Sequence, residues 1–240
     1  MKIRTSNLIR WAGLSAMAAG LIFAVVGLIH PPQVLSSVTT GTWTVVHMLT
    51  IAMSFFGLLG LAGIYAQQAE KAGWMGLAGF VLLSLWLLIV TGFTFFEAFI
   101  LPLLASDSPR FVESFLGIFT GSIGETSVGA LATLWSLLGV VYILGGLLFG
   151  IATFRAGVLS RWAAGLLGLG AVASPAFALL PQSFAPLAAV PVGLGLAWLG
   201  YATWSERREL EKVSEPLPRS SSQPTTVAMP GAVGMVSIDP

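Results

Sequence analysis

The sequence predicts an all-α polytopic membrane protein: a six-transmembrane-helix bundle with N-in/C-in topology and one short external amphipathic helix. Three observations carry that prediction. Of the 240 residues, 56% are hydrophobic and 9% charged, with a mean hydropathy of +0.90, whereas a soluble domain carries about 25% charged side chains. The apolar residues fall into six runs of membrane-spanning length. The basic residues collect in alternate gaps between those runs.

Each run reads as a helix. The first follows "MKIRTSNLIR" and is uncharged from Trp11 to Ile29; at about 1.5 Å per residue it nearly matches a hydrocarbon core of ~30 Å. It shares a basic start and small residues (Ser15, Met17, Ala18) with a cleavable signal, but its length favours an uncleaved span. The second covers about Trp43 to Ala66, the third Trp74 to Leu101, the fourth Ser127 to Phe154, the fifth Trp162 to Leu180 and the sixth Phe184 to Trp204. Continuous apolar runs of this length exclude a barrel, whose strands alternate over about ten positions. Pro175, Pro181, Pro186 and Pro191 make the last pair the least regular, with a kink or re-entrant segment expected at 175–191.

With a cytoplasmic N-terminus, every lysine and arginine except Arg110 falls inside, as the positive-inside rule requires. This places the chain in the cytoplasmic membrane, multi-pass, with the lipid bilayer as its first partner. Trp11, Trp43, Trp74, Trp162 and Trp204 stand at span ends and read as interfacial anchors.

Two regions follow from composition: a transmembrane domain, 1–204, and a cytoplasmic tail, 205–240. "SERRELEKVSE" can prolong the last helix, and the Ser-, Pro- and Thr-rich remainder reads as disordered. The longest external connection, about 102–126, contains Ser108-Pro109, an N-cap and first-turn pair. Phe111, Phe115 and Ile118 then share a face, predicting a helix on the outer leaflet or over the bundle mouth. Small residues spaced by four (Gly129 and Thr133, Ala164 and Gly168, Gly193 and Ala197) predict close helix packing.

The chemistry concentrates in four ionisable groups. His30 ends the first span, His47 begins the second, Glu97 ends the third and Glu125 precedes the fourth; alternating threading brings all four to the outer face. A buried carboxylate pairs with a cation or takes up a proton, and histidine titrates near neutrality. His47 and Glu97, with Thr94 one turn before Glu97, therefore read as a proton or ion relay. His30, His47, Glu97 and Glu125 also supply enough ligands for a divalent metal, and His30 with His47 enough for haem. Helix-end placement offers a purely structural role for the same residues.

Several classes are disfavoured. A net charge of +1 without interleaved basic and aromatic residues argues against nucleic acid. The absence of cysteine removes disulfides, thiolate metal sites and cysteine-linked lipid anchors. No nucleophile arrangement or metalloprotease spacing points to catalysis. The leading reading is a non-enzymatic membrane protein acting in proton- or ion-coupled transport or membrane-complex assembly, with a membrane-protein partner or homo-oligomer as further partners. The alternative is a membrane enzyme or redox subunit holding metal or haem through His30, His47 and Glu97.

Overall fold

The computed structural model describes residues 5–122, 124–177 and 187–214, all of whose regular elements are helical. The expected features at Pro181 and Pro186 and the tail beyond Ser214 lie outside the described residues. The helices are α1 (Thr5–Ile29), α2 (Leu35–Val38), α3 (Gly41–Phe95), a π-helical turn (Phe96–Ile100), α4 (Leu101–Leu104), α5 (Pro109–Thr120), α6 (Leu131–Ala156), α7 (Arg161–Phe177) and α8 (Ala189–Ser214). Three stretches, Asn7–Ile29, Gly41–Leu104 and Leu131–Ala156, are long and apolar enough to cross a membrane.

The second stretch is a hairpin rather than one rod. Gly73 breaks α3 with φ 56° and ψ −156°, a conformation open to glycine and costly for any residue with a Cβ. Tyr65 stacks on Phe80, and a Cβ at Gly57 would meet Leu87, so the limbs run back alongside each other. The gap expected between Ala66 and Trp74 is mostly helix, because Gln67, Gln68, Ala69, Glu70, Lys71 and Ala72 are helix-compatible and only Gly73 departs.

Around this hairpin the helices close a circuit: α1 packs on α3 and α8, α3 on α6, α6 on α7, and α7 on α8. Small residues set the spacing. A Cβ on Gly20 would strike Gly193 O and Ala197 N, and one on Gly193 would meet Gly20 O. Gly150 has the same relation to Ala164 and Gly168, with contacts of 2.9 and 2.8 Å. Two of the three expected small-residue pairs therefore pack helix on helix. The third does not: Gly129 has φ 60° and sits in a turn, and α6 starts only at Leu131.

The surface is apolar where a soluble bundle would be polar. Leu21, Phe55, Leu88, Leu137, Leu169 and Trp198 all face outward, and only 33–44% of each candidate span is buried. Such a surface suits hydrocarbon, which solvates outward leucine and phenylalanine as well as the protein interior does.

At one end, α5 plugs the bundle. Its start at Pro109 follows the expected Ser108-Pro109 signal, and it stops at Gly121, whose φ of 73° suits glycine. Its inward face is Val112, Phe115, Leu116 and Phe119, packed on Trp43, Phe93 and Leu138. Of the two expected placements, these contacts fit the cover over the bundle mouth. Ser114 is buried as well; its hydroxyl donates to Arg110 O and accepts from Thr126 N–H.

Candidate functional site

The site forms below α5, and Pro102 explains its backbone. In an α-helix Pro102 would lack the N–H owed to Ala98 O, and its ring would crowd that carbonyl. The chain instead widens to i+5 bonding, with Leu101 N–H donating to Phe96 O. In that register the partner of Glu97 O is the nitrogen of Pro102, which has no hydrogen. The Trp43 indole supplies the missing donor, Nε1 to Glu97 O at 2.8 Å. Such π-turns recur at functional sites; here it places Glu97 within a continuing helical run, not at the end of a span.

Glu97 faces His47 across the α3 hairpin, with His47 Nε2 and Glu97 Oε1 3.4 Å apart and their side chains 2% and 6% exposed. The contact lacks hydrogen-bond alignment, and neither atom has another partner. His47 Nδ1 lies 2.7 Å from Trp43 O. A carbonyl only accepts, so Nδ1 carries the hydrogen and a neutral imidazole presents a lone pair at Nε2. Two acceptors would then oppose each other in an apolar interior. A single proton resolves the conflict, giving either imidazolium beside carboxylate or imidazole beside carboxylic acid, and both forms are neutral overall. The Trp43 ring lies against that of His47, with centroids 4.2 Å apart and the planes tilted by 33°.

His30 completes the group. Its ring lies 5.2 Å from that of His47, centroid to centroid, and its Nδ1 donates to Pro31 O at 2.8 Å. Standing just past the end of α1, His30 is held below its ordinary pKa by burial, against the opposing effect of that hydrogen bond. Thr94, His30, His47 and Glu97 all line one cavity of about 360 Å³, joined there by Gln33 and Thr50. A second cavity of about 430 Å³ adjoins it, sharing the walls of Phe23, Val26, His30, Trp86 and Trp135.

Three of the four expected ionisable residues thus meet, and Glu125 does not. Its carboxylate lies 3.7 Å from Arg110 Nε, with both side chains 80% exposed. Among the described residues no group of three or more His, Cys, Asp or Glu is arranged to hold a metal ion. No triad of His30, His47 and Glu97 that would hold a metal or haem is thus shown among the described residues. Both histidines spend Nδ1 on backbone carbonyls, and His47 aims Nε2 at Glu97.

Trp43 is the residue that sequence reasoning misread. It is fully buried, not an interfacial anchor, and both orders Glu97 and lies against His47. Its place four residues before His47 was the available signal. Trp11, Trp74 and Trp162, by contrast, are strongly exposed.

The fold and site define a class: an all-α protein of membrane-type helices enclosing a buried histidine–glutamate pair beside a cavity. Comparison of the chain with protein-family models, curated proteins and solved structures returns no match.

Proposed function

We propose that this is a multi-pass protein of the cytoplasmic membrane in which the His47–Glu97 pair binds one exchangeable proton and couples it to the state of the adjoining cavity, as proton-coupled transport requires. The topology in this reading has six crossings and cytoplasmic termini, with α5 on the outer side. The α3 hairpin supplies two crossings, and α1, α6, α7 and α8 one each. His47 and Glu97 carry the proton, and Thr94 adds a hydroxyl at the cavity wall.

One observation carries the reading: two buried acceptors, His47 Nε2 and Glu97 Oε1, oppose each other at 3.4 Å beside a cavity of about 360 Å³. Ionisable groups inside a membrane are costly and concentrate on ion and proton paths. A pair that is neutral with its proton and anionic without it gives the bundle two charge states at one place, which is the element that coupling needs.

The test is the pH dependence of tryptophan emission in detergent-solubilised Trp43→Phe protein, in which Trp86 and Trp135 still report on the cavity. A reversible change that disappears on Glu97→Gln, and again when Trp86 and Trp135 are replaced by Phe, is the expected result. Emission indifferent to pH across the stable range would contradict the coupling.

A further inference from the structure

The cavity has a chemical bias beyond its proton. Three buried acceptor atoms of its lining residues, Gln33 Oε1, His47 Nε2 and Glu97 Oε1, have no hydrogen-bond partner. His30 Nε2 adds another lone pair once Nδ1–H is committed to Pro31 O. Among the described residues, no lysine or arginine lines either cavity. The walls are aromatic, with Phe23, Trp86, Phe93, Phe119 and Trp135 around the polar end. Aromatic faces carry negative quadrupole density, and buried unsatisfied acceptors call for a donor or a positive charge.

We propose that the ligand of this cavity is an amphipathic organic monocation that exchanges one for one with the proton held between His47 and Glu97. The inference rests on the proton-coupled reading above. The exchange balances: the cation enters, the pair loses its proton to water, and the site holds a neutral imidazole, a carboxylate and the cation with no net change in charge. The aromatic walls add cation–π attraction, strongest where water is excluded. The second cavity, faced by Tyr142, Ser174 and Gly139, provides room for the apolar part, and both volumes fall within the usual range for small-ligand sites.

Among the described residues, few other titratable groups bear on the exchange. His30 faces it from the end of α1, Tyr142 faces the adjoining cavity from α6, and α5 presents Phe119. An anionic ligand would have to keep the proton and gain a second positive partner. His30, held toward its neutral form by burial, does not readily supply one.

The test uses the full chain in detergent, with benzyltrimethylammonium and tetraphenylphosphonium as small and large cationic probes and tetraphenylborate as the anionic match. Calorimetry in two buffers of different ionisation enthalpy reads affinity and proton release together. Saturable binding of at least one cation, none of tetraphenylborate, and about one proton released per cation are expected. Glu97→Gln should weaken binding more than about tenfold. As a check independent of the pair, Trp86→Leu should weaken cation binding while Trp86→Phe largely retains it. Failure of both cations to bind, equal binding of tetraphenylborate, or binding without proton release would overturn the proposal. A Glu97-dependent response of the cavity emission to pH, without cation binding, leaves proton coupling standing and removes the cation. Emission indifferent to pH removes both.

Discussion

The indole of Trp43 donates to the backbone carbonyl of Glu97 at 2.8 Å, joining residues 54 positions apart in sequence. That bond fastens the two limbs of the α3 hairpin where the π-turn leaves a carbonyl without its helical donor. Trp43→Phe should keep the ring contact and lose the bond. Leaving a buried acceptor unsatisfied costs about 1–3 kcal/mol, to be read as a lower melting temperature in detergent. Pro102→Ala restores an N–H to the helix, so the double variant should lose less than the sum of the two singles. Strict additivity would separate Pro102 from the role assigned to Trp43.

The His47–Glu97 contact should behave as a unit. His47→Leu alone leaves Glu97 buried without its partner, and Glu97→Leu does the same to His47. Breaking a buried pair from one side costs about 3–5 kcal/mol, whereas replacing both partners with apolar residues is often nearly neutral. The His47→Leu/Glu97→Leu protein should therefore melt closer to wild type than either single variant. A fully additive loss across the cycle would show that the two side chains stabilise the fold independently.

Helix packing gives a sharper contrast. Gly20→Ala puts a methyl group against Gly193 O and Ala197 N, both backbone atoms that cannot turn aside. Overpacking of this kind costs about 1–3 kcal/mol. Gly92→Ala, where a Cβ meets nothing within 4 Å, should be neutral or stabilising by helix propensity. Equal effects at the two positions, in parallel thermal melts, would remove the argument that glycines set the α1–α8 spacing.

Acid should weaken the fold partly through His30. Its pKa in the folded protein lies below the ordinary 6.5 because burial opposes its charge. The unfolded chain then binds more protons in the window between the folded value and 6.5. His30 thus contributes stability that is fully present above 6.5 and declines as pH falls through that window. His30→Gln should flatten the acid side of the melting profile relative to wild type, and an unchanged acid slope would contradict the assignment.

Much of the architecture was legible because hydrocarbon-length runs and helix punctuation are local signals. Trp11–Ile29, the α3 limbs on either side of Gly73, and the α5 start at Pro109 all follow from neighbouring residues. The convergence of His30, His47 and Glu97 was legible too, because alternate threading places them at one end. What the chain did not announce depends on partners distant in sequence. Glu125 leaves the group for Arg110 at the surface, a choice between two exposed side chains that spacing does not encode. The role of Trp43 requires the π-turn, the hairpin register and the missing hydrogen of Pro102 together. The burial of Ser114 likewise depends on a distant partner, the Thr126 N–H that donates to its hydroxyl.

The central claim, that one proton is shared by two buried acceptors, is tested most directly by infrared difference spectroscopy across a pH titration, with isotope-labelled histidine and Glu97→Gln as the reference. A shared proton predicts a single step, seen either as loss of the His47 imidazolium band or as loss of a Glu97 carboxylic-acid band, that is absent in Glu97→Gln. No pH-dependent step in either band throughout the stable range, or a His47 band that titrates identically without Glu97, would contradict it.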